Sequence, residues 1–153
     1  MRKIKGFTLI EVLIVIAIIG ILAAVTIVAI NPARQFAQAR NSQRSSGVNT
    51  ILNAVWQYAV DNNGNLPGSI VNINPNIMTE ICMTGGAPCT GLLDLSALTD
   101  EELYLVQLPV DPICATASST CYWLSKSDYN RITVKASSSW LTSELNANIQ
   151  VTR

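Results

Sequence analysis

The spacing of apolar and polar positions divides the chain into stretches of different character. From Phe7 to Ile30 the run FTLIEVLIVIAIIGILAAVTIVAI is apolar except at Thr8, Glu11, Gly20 and Thr26. As a helix it reaches about 36 Å at about 1.5 Å per residue, enough to cross a hydrocarbon core of about 30 Å. Asn31-Pro32 follows. Proline removes a backbone hydrogen bond and kinks a helix, and Gly20 is a second weak point. From Ala33 the helical pattern resumes as far as Asp61. Val48, Ile51, Leu52, Val55, Trp56, Tyr58 and Ala59 fall at i, i+3, i+4 and i+7 spacing. They cover an arc of roughly 160°, which predicts that this half of the helix docks on a core. Asn49, Thr50, Asn53 and Gln57 lie opposite. Asn62-Asn63-Gly64 followed by Pro67 is a helix stop, with glycine in the left-handed cap and proline beyond it. A helix running unbroken from Phe7 to Asp61 would measure about 80 Å, longer than any compact domain of this size.

The remainder reads as a small α+β head. Residues 68–99, rich in Asn, Gly and Pro, predict a connecting loop. Leu95–Leu105 predicts a short helix capped by Thr99 or Asp100, with Glu101 and Glu102 in its first turn. Strands are expected at 121–124, 131–136 and 148–152. In the second, Ile132, Val134 and Ala136 alternate with Arg131, Thr133 and Lys135, as in a half-buried strand. Ser137-Ser138-Ser139 is a turn signal before Trp140. These elements fit a small antiparallel sheet lying on the amphipathic half of the helix.

Charge sharpens this division. Arg2, Lys3 and Lys5 precede the apolar run, and basic residues beside a membrane span hold that end in the cytoplasm, so the head is expected outside. Formal net charge is zero; without residues 1–6, seven basic side chains stand against ten acidic ones. That balance argues against a general nucleic-acid binder. The chain has no histidine, which excludes Ser-His and Cys-His catalysis and histidine metal sites. With no nucleophile motif either, an enzyme is not expected, nor is a cofactor.

Four cysteines form two close pairs, Cys82/Cys89 and Cys114/Cys121. On the oxidising side of a membrane an even count suggests disulfides. Three connectivities are open. Local pairing, Cys82–Cys89 with Cys114–Cys121, closes two short loops that contain turn residues, each worth about 2.5 kcal/mol by the chain-entropy estimate. Zinc sites usually want tighter spacing. Asp111, in LPVDP, reads as a turn aspartate, with no acidic run around it to hold calcium. Arg34, Arg40 and Arg44 read as a solvated helix surface, or alternatively as partners for acidic residues of a neighbouring molecule. Glu11 is the anomaly, because a carboxylate in an apolar helix is costly in lipid without a partner. The apolar run offers none nearby, which points to another molecule.

The stretch GFTLIEVLIVIAIIGILAA, with its short basic leader, Gly6-Phe7 junction and glutamate four residues after the phenylalanine, resembles the N-terminal motif of type IV prepilins and pseudopilins. AVWQYAVDNNGNLP, less specifically, resembles the end of their long helix. The resemblance implies a pilin fold, cleavage between Gly6 and Phe7 by a prepilin peptidase, and methylation of the new Phe7 amine. It implies a leader at 1–6, a filament-core half of the helix at 7–30, an amphipathic half at 31–63 and a head at 64–153. It implies that the helix between Gly20 and Pro32 can loosen in the filament. Partners would be copies of the chain itself, the peptidase, the assembly platform with its ATPase, and membrane lipid before assembly. Location would pass from the cytoplasmic membrane to a surface filament. The expected function is that of a type IV pilus subunit in which Glu11 pairs with the Phe7 amine of a neighbour. The alternative is the major pseudopilin of a type II secretion or DNA-uptake machine.

Overall fold

The computed structural model describes residues 6–83, 89–136 and 148–153. The expected turn at Ser137–Ser139 with Trp140, and the basic residues Arg2, Lys3 and Lys5, lie outside the described residues. The chain divides into two compact units, 1–36 and 37–153.

In the first unit, α1 runs Leu9–Ile30, and none of its 22 residues is buried. It is long and apolar enough to cross a membrane. Gly20 lies inside it without interrupting it. Asn31 ends α1 in the left-handed conformation, at φ 48°. The same residue opens α2, Pro32–Asp61, since the Arg34 N–H donates to the Asn31 backbone oxygen at 3.1 Å and to its side-chain oxygen at 3.4 Å. Asn-Pro therefore acts as N-cap and first helical residue, where proline's missing N–H costs nothing.

In the second unit, α2 buries Val48, Ile51, Leu52, Val55 and Ala59, as the spacing predicts, together with Ala54. Trp56 and Tyr58 pack partly buried against the same cluster. The helix stops at Asp61; the Gly64 N–H reaches back to the Ala59 oxygen at 2.7 Å, with Gly64 at φ 87°. A four-stranded antiparallel sheet follows in the order β1-β2-β3-β4, formed by Thr79–Cys82, Ser119–Lys126, Ile132–Ala136 and Gln150–Thr152. Ile132, Val134 and Ala136 face inward, and with Tyr122 and Leu124 they complete one core with the buried stripe of α2.

Two stretches differ from the sequence expectation. Residues 68–99 are not simply a loop: they hold a one-turn helix α3, Gly68–Val71, and the edge strand β1. Leu95–Leu105 is not one helix but two 3-10 turns, Ser96–Leu98 and Asp100–Glu102. Glu101 and Glu102 take φ of 50° and 57°, which no continuous right-handed helix allows. Thr99 makes no side-chain cap there.

The largest departure is Arg44. It is fully buried, in a bidentate ion pair with Asp111: Nε donates to Oδ2 at 2.7 Å and Nη2 to Oδ1 at 3.1 Å. Nη1 donates to Asn41 Oδ1 at 2.9 Å. Asp111 opens the expected turn, with the Cys114 N–H donating to its backbone oxygen at 2.9 Å, and its carboxylate holds Arg44 as well. It anchors α2 to the segment leading into β2, where the Asp111 N–H donates to the Thr120 oxygen at 3.0 Å. Beside it, burial first and the Asp111 carboxylate second push the Tyr122 phenol up to about 12, with Arg44 pulling the other way. Gly47 is required here, because a Cβ at residue 47 would lie 2.5 Å from the Tyr122 hydroxyl.

Two predictions follow from this corner. Asp111→Ala leaves Arg44 buried without its counter-charge and should cost about 3–5 kcal/mol, whereas Arg44→Met with Asp111→Leu should recover most of that loss. Denaturant unfolding of the three proteins in detergent checks it; equal loss in single and double variants would contradict it. The second concerns alkali. The unfolded phenol releases its proton near 10.0 and the folded one near about 12, so Tyr122's contribution is intact below pH 10.0 and is lost as pH rises to about 12. The melting temperature should fall more steeply over that interval than in Tyr122→Phe.

Candidate functional site

The candidate site begins at the only polar group set early in α1. Thr8 is the N-cap of the helix, and Thr8 and Glu11 form a capping box. The Thr8 N–H donates to Glu11 Oε2 at 2.8 Å, and the Thr8 hydroxyl donates to the same oxygen at 2.9 Å. The Glu11 N–H returns a bond to Thr8 Oγ1 at 3.3 Å. The carboxylate also sits at the helix N-terminus, where the dipole favours negative charge. Glu11 therefore does have a partner within its own chain, contrary to the expectation from the apolar run. The signal was present in the sequence as the Thr-x-x-Glu pattern.

Both Thr8 donors fall on Oε2. Among the described residues, nothing donates to Oε1. The carboxylate is held in one orientation with half its acceptor capacity open. Gly6 and Phe7 precede the helix in extended or irregular backbone, and the Phe7 side chain is 89% exposed. A Cβ at residue 6 would meet nothing within 4 Å, so the chain itself imposes no demand for glycine there. Every residue of α1 is exposed, so Glu11 and its apolar neighbours present a surface on which a second molecule, or lipid, can close.

The head carries two covalent braces. Disulfides join Cys82 to Cys89 and Cys114 to Cys121, the local pairing that the spacing favours. The second closes the loop that begins three residues after Asp111, where the Cys114 N–H donates to the Asp111 oxygen at 2.9 Å. Arg44 and Asp111 are not legible as partners: they are 67 residues apart, and no local pattern links them.

Comparison with known proteins places this arrangement. The family described as "Prokaryotic N-terminal methylation motif" matches residues 1–27. A type IV wide pilus major component, PilA4 of Thermus thermophilus, is 48% identical over 63 residues, or 41% of this chain. The match spans 47% of that protein, so the chain aligns with about half the length of the curated relative. No solved structure matches. With the methylation motif at its start and an α+β fold of long N-terminal helix and antiparallel sheet, the chain is similar to type IV pilins in its N-terminal motif and over the 63 aligned residues.

Proposed function

We propose that this chain is the structural subunit of a type IV pilus. The observation that carries the reading is the conjunction at the N-terminus: a methylation motif over residues 1–27, running into a helix whose 22 residues are all unburied. An apolar surface of that extent is not stable in water. Lipid covers it before assembly, and the same helix of neighbouring subunits covers it afterwards. A prepilin peptidase removes residues 1–6 and methylates the Phe7 amine; a platform with its ATPase then draws subunits from the membrane. Cleavage places a cation at Phe7, and Glu11 of one subunit pairs with the Phe7 amine of the next. In a low dielectric each charge removes the other's desolvation problem. The relative's part in a wide pilus supports the filament reading over a secretion or DNA-uptake pseudopilus.

Processing is tested first. Protein recovered from cells should begin at N-methylated Phe7 by mass spectrometry, and a bulky substitution at Gly6 should leave the leader attached. A mature chain that starts at Met1 would refute the reading.

Assembly is tested by separating the two roles of Glu11. Glu11→Ala removes the carboxylate and leaves a neighbour's amine unpaired, a penalty of about 3–5 kcal/mol repeated at every subunit. Filaments should be few or absent by electron microscopy, with processed protein still in the membrane. Thr8→Val removes only the hydroxyl of the cap, at a cost of about 1 kcal/mol in the first turn, and should leave filaments near the unaltered yield. Equal loss in both variants would assign Glu11 to helix capping and not to pairing.

A further inference from the structure

The proposed pairing at Glu11 leaves the surface of the 37–153 unit unassigned. Charge there is segregated along the chain. Between Arg44 and Lys126 there are seven acidic residues and no lysine or arginine; from Lys126 onward there are four basic residues against two acidic. The acidic stretch carries an open groove of ≈ 480 Å³ between α2 and the segment after the second 3-10 turn. Trp56 and Tyr104 form its half-buried aromatic part, and Val60 and Leu103, 79% and 69% exposed, form its apolar rim. Asp61 also lines it, and the exposed Asp100, Glu101 and Glu102 lead directly into Leu103. It is apolar inside, with carboxylates on the side of Asp61 and residues 100–102 and Arg153 at the other end, where its Nη1 donates to the lining Asn53 at 2.8 Å, and it is above the roughly 300 Å³ at which grooves begin to hold compact ligands.

The basic stretch carries a matching projection. Tyr129 stands 90% exposed at the tip of the β2–β3 hairpin, with Arg131 exposed beside it. The tip is fixed, not loose. The Ser127 N–H donates to the Arg131 oxygen at 2.9 Å and the Asn130 N–H to the Ser127 oxygen at 3.0 Å. The Arg131 N–H donates to the Ser127 hydroxyl at 3.0 Å, and Asn76 Nδ2 donates to Asp128 at 2.9 Å. A pre-ordered aromatic with a neighbouring arginine is the residue chemistry that dominates protein interfaces, because little freedom is lost on docking.

We infer that the Tyr129–Arg131 tip of one copy seats in the Trp56–Leu103–Tyr104 groove of another. The phenol ring enters the aromatic cleft, and Arg131 lies against the carboxylates of Asp61 and residues 100–102. Tip and groove are different patches, so the contact is heterologous and propagates into an open chain instead of closing as a dimer. The inference rests on the subunit reading and adds a contact between heads to the one between anchor helices.

A photo-crosslinking benzophenone residue at position 129, in filaments grown from a mixture of light and heavy isotope-labelled subunits, tests it. The expected products join residue 129 of one copy to residues 53–61 or 100–106 of a differently labelled copy. Charge exchange gives a second readout. Arg131→Glu, or Glu101→Lys with Glu102→Lys, should each lower filament yield about tenfold by setting like charges together, and the combination should return most of it. Filaments that form without those crosslinks, or single charge reversals that leave the yield unchanged, would overturn the docking and leave the subunit reading standing. Absence of filaments from the unaltered chain would overturn both.

Discussion

The fold of the head depends on placing two opposite charges in an otherwise apolar interior. Arg44 lies among Ala37, Gly47 and Val48 on the buried stripe of α2, and its side chain has no exposed surface. Burying that charge alone costs several kcal/mol, so α2 can dock only where Asp111 meets it. Asp111 is fixed in turn: its backbone bonds to Thr120 of β2 and to Cys114, and its Oδ1 accepts from the Ile113 N–H at 2.9 Å. The Cys114–Cys121 disulfide ties the ends of that same segment together. Helix, loop and central strand therefore share one register. A slip of any one of them strands a charge in the core.

This dependence explains what could be read from the sequence and what could not. The apolar run, the stripe from Val48 to Ala59, the stop at Asn62–Gly64 and the alternation at Ile132–Ala136 are properties of near neighbours, and periodicity reports near neighbours well. The two disulfides are local for the same reason. β1 is not legible locally because Thr79–Cys82 is defined by pairing with residues about 40 positions later, not by its own four residues. The 3-10 turns resemble a helix start in sequence because acidic residues open helices often, and nothing local announces that Glu101 and Glu102 are both left-handed. Arg44 reads as solvated because nothing local marks the Asp111 turn, 67 residues away, as the place of its counter-charge. Thr8 is the exception: its capping box is written within four residues, as Thr-x-x-Glu.

The capping box and the proposed pair with a neighbour's amine would compete if Glu11 had to choose between them. The geometry shows that it does not. A carboxylate offers two oxygens and about four lone-pair positions. Thr8 uses Oε2 for both of its donors, so the side chain is already oriented and Oε1 carries no donor among the described residues. In lipid, the Thr8 bonds and the helix dipole reduce the cost of a carboxylate that has no counter-ion. On the proposed pairing, an arriving Phe7 amine would meet an acceptor that needs neither reorientation nor the loss of an existing bond. The entropy of fixing the glutamate side chain is met once, in the monomer, and does not recur as each subunit is added. A residue that looks misplaced in an apolar helix is thus partly satisfied by its own chain, and the proposed pairing would complete its acceptor set without undoing the cap.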